Sequence, residues 1–334
     1  MKRILLIVLI SVFLITSVYS EVNFKGLVQN WFSMSSQENG ETSDSIYGFA
    51  NRRIRLAPFG TLGKKARWGV QFAFDKFSTP VVLDAYLEYF FSREAIVKFG
   101  LFAPPGVKAA ALTSSGALDF IERATIVQMW NGNNGLHGYR AFGAQLSGKF
   151  MEGKLYYALM LSNALTTGNN WLPSVKTPST VNPHTGIGFW GRLEAYPVPG
   201  LQIGGFIGSG TEADPSIIDI EIKRSSYGFN LYYKKNNINV KFEYLGGDSN
   251  DVKYSGMYAV AGYLFNKFEP IIGFETYTRM EEGEKYTNLS GGINYFHSKN
   301  IKLQLNYIMR TEELIDVDND IIYANIQYSF TSKK

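Results

Sequence analysis

Alternation of apolar and polar residues, sustained over about ten residues at a time, recurs from one end of this chain to the other. In "NINVKFEYL", Ile238, Val240, Phe242 and Tyr244 alternate with Asn239, Lys241 and Glu243. The stretches "RWGVQFAFD" and "IKLQLNYIM" repeat the arrangement, and "IIYANIQYSF" ends the last such run. Successive side chains of a β-strand point to opposite faces, so this period gives each segment one greasy and one wet side. Helical i, i+3, i+4 spacing is scarce outside one segment near residues 107–130.

About 16 strands can be read: 22–34, 46–59, 65–75, 81–91, 95–102, 138–149, 153–162, 186–196, 200–208, 225–234, 237–245, 254–264, 267–278, 286–296, 300–310 and 321–330. Their connectors sort by length. Odd-to-even ones, such as "SMSSQENGETSDS", "SGTEADPSIIDIEIKRS" and "TEELIDVDND", are mostly long and polar, whereas "TLGK", "SREA", "PVPG", "KKNN", "FNK" and "HSKN" are tight. Long and short connections in turn describe an up-and-down antiparallel β-barrel of an outer membrane, with short turns on the periplasmic side. Only a closed barrel lets strands satisfy every backbone group inside lipid. A charge turned to mid-bilayer costs about 2–4 kcal/mol, so Lys241, Glu243 and Lys302 are assigned to the inside. Trp31, Tyr47, Tyr89, Tyr244 and Tyr307 are read as interfacial girdle residues. The expected fold class is therefore all-β, a transmembrane barrel of about 16 strands occupying residues 21–334 as a single domain. A secreted β-sandwich or solenoid also alternates, but its strands are shorter and its loops are not sorted by length.

The first twenty residues, "MKRILLIVLISVFLITSVYS", pair Lys2 and Arg3 with an apolar run and small residues at Val18 and Ser20. That is the pattern of a cleavable signal peptide over residues 1–20, implying export to the outer membrane; as a membrane anchor the run is short. Cysteine is absent, so neither disulfides nor thiolate metal sites are available. The net charge of +4 is spread among acids along the whole length, which excludes the clustered basic footprint of a nucleic-acid binder.

Between the fifth and sixth strands, residues of about 103–137 do not alternate. A sixteen-stranded barrel is too wide for side chains to fill, so this segment is expected to fold inward as a constriction loop, or else to lie over the rim. Residues Ala109–Leu112 and Ala117–Ala124 are read as short helical pieces, with Thr113 or Ser114 as caps. Its candidates for the eyelet are Lys108, Ser114, Ser115, Asp119, Glu122 and Arg123; Glu122 and Arg123 read equally well as a structural pair tying loop to wall. On the strands, Arg53, Arg55, Arg67, Lys98, Lys154, Arg192, Lys241 and Lys302 face inward by phase. So do Asp75, Asp84, Glu88, Glu194, Glu243, Glu269 and Glu275, so the two signs nearly cancel. The cluster Arg52, Arg53, Arg55 and Arg67 favours anions, unless these arginines merely neutralise Asp84 and Glu88.

The stretches "NRRIRLAPFGTL", "LDAYLEYFF", "IVKFGLFAPPG" and "LTSSGALDFIER" resemble the phosphate-selective porin O and P family, most clearly over residues 46–125. The resemblance implies a sixteen-stranded, homotrimeric outer-membrane porin whose third loop enters the pore and whose lumenal arginines lead anions to it. The matching positions are Arg53 and Arg55, with Arg52 at a less certain phase. Where the family commonly has Gly-Gln-Phe-Lys before the proline, this chain has Gly100, Leu101, Phe102 and Ala103, one basic residue fewer.

Chemistry of other kinds is sparse. His137, His184 and His297 fall in connectors without partners at catalytic spacing, so no enzymatic activity is expected. Asp316, Asp318 and Asp320 lack the glycine and distal glutamate of a calcium loop. They and Glu281, Glu282 and Glu284 are expected to be solvated, or to bind divalent cations that bridge lipopolysaccharide. No cofactor and no resident metal are expected. The functional expectation is a passive, water-filled channel for small hydrophilic solutes, with a preference for anions or phosphate; the alternative is a non-conducting barrel acting as surface adhesin or envelope anchor.

Overall fold

The computed structural model describes residues 20–39, 42–75, 80–129, 140–163, 187–213, 221–279, 283–313 and 317–332. The leader, His137, His184, Glu281, Glu282, Asp316 and most of the 163–185 connector lie outside these residues.

Sixteen strands are present: β1 (Ser20–Asn39), β2 (Thr42–Leu62), β3 (Ala66–Ala73), β4 (Val81–Phe90), β5 (Ile96–Phe102), β6 (Ala141–Phe150), β7 (Leu155–Asn163) and β8 (Ile187–Ala195), then β9 (Leu201–Ala213), β10 (Glu221–Lys235), β11 (Ile238–Ser249), β12 (Val252–Tyr263), β13 (Phe268–Arg279), β14 (Glu284–Phe296), β15 (Ile301–Glu312) and β16 (Ile321–Thr331). Each pairs antiparallel with its chain neighbours, and β1 pairs with β16 to close the barrel. Closure removes every sheet edge, as a lipid environment requires.

Burial is inverted relative to a protein that hides its greasy side. Along β15, Lys302, Gln304 and Asn306 are buried while Leu303, Leu305, Tyr307 and Met309 are exposed. In β11, Asn239 and Glu243 are buried beside exposed Ile238, Val240 and Tyr244, and in β16 Asn325 and Gln327 are buried beside exposed Ile322, Ile326 and Tyr328. An apolar outer face on nearly every strand is what a lipid-embedded barrel presents.

The ladders run further than the alternation. β1 and β2 stay paired out to Asn39 and Thr42, so "SMSSQENGETSDS" is mostly sheet. β9 and β10 are paired out to Ala213 and Glu221, and β11 and β12 meet at a two-residue turn, Asn250–Asp251, with both φ positive. Beyond the bilayer neither face needs to be apolar, so the period-two signal stops while hydrogen bonding continues.

One assignment is reversed. Trp31 is no girdle residue: it is buried in the barrel against Tyr323, with the guanidinium of Arg52 5.2 Å from its ring. It shares the inward parity of Asn23 and Gln29 on β1, and its identity outweighed its phase in the sequence reading. Tyr47, Tyr89, Tyr244 and Tyr307 do face outward.

Candidate pore constriction and lumen

After β5 the chain turns into the barrel, and its buried residues Val107, Ala110, Ile121, Ile126 and Val127 lie against the inner wall. One helical turn at Lys108–Leu112 is followed by a 3₁₀ turn at Ser115–Ala117, whose N-cap Ser114 accepts a bond from the N–H of Gly116. Residues 118–124, expected to be helical, are not; a short helix stands instead at Thr125–Met129. The reason lies in the wall. The carbonyl of Leu118 accepts from Lys302 Nζ at 2.9 Å, and that of Asp119 accepts from Asn294 and Gln304. The N–H of Ile121 donates to Asn306 at 2.7 Å. Backbone groups that a helix pairs internally are here already bound to β14 and β15.

Wall side chains also hold the helical turns. Glu243 accepts from the N–H groups of Lys108 and Ala109 at 2.7 and 2.8 Å, and Glu275 accepts from that of Ile126 at 3.1 Å. Each carboxylate thus caps donors that a helix start leaves open. Two wall glycines complete the fit. A Cβ on Gly256 would meet Ile126 at 2.3 Å, and one on Gly273 would meet Phe120 at 2.6 Å.

Glu122 is the point where the loop meets the β2 wall. Its carboxylate takes bonds from Arg52 Nε at 2.8 Å, from Arg53 Nη2 and from the N–H of Arg123. Consecutive residues of a strand ordinarily face opposite ways. A β-bulge explains the exception: Gln29 pairs with Arg53 and Asn30 with Asn51, leaving Arg52 as the extra residue, so both guanidiniums turn to the same side. Burial raises the pKa of Glu122, but Arg53, Arg52 and the Arg123 N–H outweigh it and hold the carboxyl below its ordinary value. A second bulge, beside Gln71 and Phe72, leaves Leu83 unpaired next to Asp84.

The sequence-expected site residues divide between the wall, the loop's own backbone and two lumenal cavities. Asp119 is turned to the wall, where Lys241 binds it at 2.6 Å and Asn239 at 2.8 Å. Arg123 donates back to the carbonyls of Ala109, Ala110 and Thr113, folding the loop on itself. Arg52, Arg53, Arg55, Ser114, Ser115 and Glu122 instead line, with Arg123, a cavity of about 800 Å³. Arg67, Lys98 and Lys108 line a second, of about 540 Å³, at the short-turn end. Asp84, Leu112 and Arg140 border both spaces. A third, of about 240 Å³, lies at the long-connector end and shares Arg52, Glu122, Arg123 and Gln128 with the first. Lys154, read as inward, sits exposed on the turn after Met151–Gly153, because the strand begins one residue later.

Charges along these walls are grouped. Glu88 is shared by Arg67, whose Nε lies 2.7 Å away, and by Lys98 at 3.2 Å. Glu194 is shared by Arg192 at 2.6 Å and Lys108 at 3.0 Å. Burial lowers the pKa of Lys108, with Glu194 opposing part of the shift. With Glu122 between Arg52 and Arg53, that makes three carboxylates each serving two cations. Arg55 pairs with Asp75 at 2.5 Å, and Arg140 with Asp84 at 2.7 Å. Neutralisation of Asp84 is thus done by Arg140, a residue inside the strand read at 138–149 but not assigned to the lumen from sequence. Among the described residues no group of His, Cys, Asp and Glu is arranged to hold a metal.

Comparison with known proteins agrees with this geometry. Residues 22–157 match the family "Phosphate-selective porin O and P". No curated protein matches the sequence. Among solved structures, the anion-selective porin from Comamonas acidovorans superposes with a TM-score of 0.73 at 14% identity, covering 93% of this chain and 100% of its own. The outer membrane channel DcaP of Acinetobacter baumannii gives 0.67 at 12% identity, covering 93% and 97%. The trimer form of OmpT, an outer membrane protein of Vibrio cholerae, gives 0.64 at 11%, covering 93% and 99%. Over residues 22–157 the chain is similar to the phosphate-selective porin O and P family, and its whole barrel has the porin fold.

Proposed function

We propose that this protein is a passive outer-membrane channel for small hydrophilic solutes, that it prefers anions, and that Arg52, Arg53 and Glu122 with Ser114 and Ser115 form its constriction. One observation carries the preference: each of three lumenal carboxylates is shared by two cations, so each group keeps one positive charge. The sequence tally of charges nearly balances, but acids such as Glu243 and Glu269 are buried and bonded to the loop or to wall amides. They are screened from the solute path, while the shared groups border it. Cations lining a narrow, weakly screened passage favour anions. The family match and the anion-selective relative support the same reading.

The preference is for anions in general more than for phosphate alone. Ala103 borders the short-turn cavity at the position where the family commonly carries a lysine. Insertion by a cleavable leader, assembly as a homotrimer and contact with lipopolysaccharide belong to the same proposal. Arg53→Gln with Arg55→Gln should lower the anion-to-cation permeability ratio measured by reversal potential in a salt gradient. An unchanged ratio in the folded double variant would remove the argument. Adding the missing charge with Ala103→Lys should strengthen phosphate block of chloride current.

A further inference from the structure

The short-turn end of the barrel is ringed by exposed cations. Six of its seven short turns carry or directly adjoin an exposed cation, at Lys64, Arg93, Lys154, Lys235, Lys267 and Lys299. Among the described residues none of these six forms an ion pair, and Lys267 Nζ donates to the carbonyl of His297 at 3.2 Å. The acids in the same turns are Glu94 and Glu152, both exposed. Among the described residues of the opposite rim, Lys285 pairs with Glu313, Asp318 and Asp320 accept bonds from Ser36 and from the N–H of Arg310, and Lys223 and Lys253 are exposed.

The short-turn end also shows apolar side chains at its tips. Phe91 is 64% exposed, Met151 72%, Val198 52% and Phe265 72%. These turns are well defined: Phe265 and Phe268 form a β-bridge, and Asn236 and Asn237 both have positive φ in a two-residue hairpin turn. A rim facing water alone gains nothing by holding Phe and Met outward beside exposed cations. At a membrane surface the combination fits, with apolar groups at the acyl boundary and ammonium or guanidinium groups at the phosphates.

We infer that this rim is a collar binding anionic phospholipid headgroups, with phosphodiester oxygens as the recognised group. The inference rests on the proposed orientation, which turns the short-turn end to the inner leaflet. Each cation close to an anionic surface is worth roughly fivefold in association, and salt weakens the effect because the Debye length shortens.

The test is the association of spin-labelled phosphatidylglycerol with the full-length protein in phosphatidylcholine vesicles, compared with spin-labelled phosphatidylcholine. The wild type should favour phosphatidylglycerol severalfold, and the preference should fall as salt rises. Replacing all six cations by Gln should abolish it while leaving single-channel conductance unchanged. Should that variant misfold, Lys64→Gln with Lys267→Gln and Lys299→Gln should remove a large part of the preference. Equal selectivity in wild type and folded variant would overturn the collar, and so would a wild type without selectivity, whereas loss of conductance in the wild type would count against the channel and not against the collar.

Discussion

Glu122 concentrates the chemistry of the site, because one carboxylate joins the loop to two arginines of the β2 wall. Glu122→Gln should weaken that tie by about 1.5–3 kcal/mol, the worth of hydrogen bonds to a charged group. It should also raise anion preference in the reversal potential, since two guanidiniums then lack their counter-charge. The pH dependence has a definite sign. Glu122 titrates below its ordinary value, so its contribution is complete above the unfolded value and is lost only as pH falls through the lower folded one. Conductance of the wild type is therefore expected to be unaffected by this group from pH 8 to 5, and a transition inside that window that Glu122→Gln removes would refute the assignment. Arg52 shows what a sequence hides at this scale. Its parity along the strand points it away from Arg53, and only the unpaired residue at the bulge brings the two together.

The inward loop is held by shape and by amides more than by its own helical tendency. Gly256→Val should push against Ile126 and cost about 1–3 kcal/mol through overpacking. The expected readout is a barrel that keeps its folded gel mobility but gives larger or noisier conductance steps. The strands themselves were legible because lipid on one side and water on the other force a period of two. The loop was legible as an interruption, though not in its details, because its backbone partners lie more than a hundred residues away at Glu243, Asn294, Gln304 and Asn306. A usable signal was nevertheless present. Inward positions on β14–β16 are rich in Asn and Gln, which donate to loop carbonyls, whereas inward positions on β2–β8 are rich in Arg, Lys and Glu. On β14–β16 neutral amides predominate where the loop covers the wall, while on β11–β13 the charges of Lys241, Glu243 and Glu275 hold it.

As a whole the molecule is a closed cylinder with its polar residues inside, a loop on one wall and charged cavities along the other. Its outer face has to stay apolar: Leu305, exposed at the middle of β15, should tolerate Ile, whereas Leu305→Arg should cost about 2–4 kcal/mol of barrel stability in lipid. Urea unfolding of the two variants in vesicles measures that difference. The long-range pairing of β1 with β16 makes the fold dependent on both ends of the chain. The most direct measurement of the central claim is the single-channel current and reversal potential of the purified, folded protein in a planar bilayer across a salt gradient. Discrete steps with an anion-selective reversal potential are predicted. Folded protein that gives no steps, or steps selective for cations, would contradict the account.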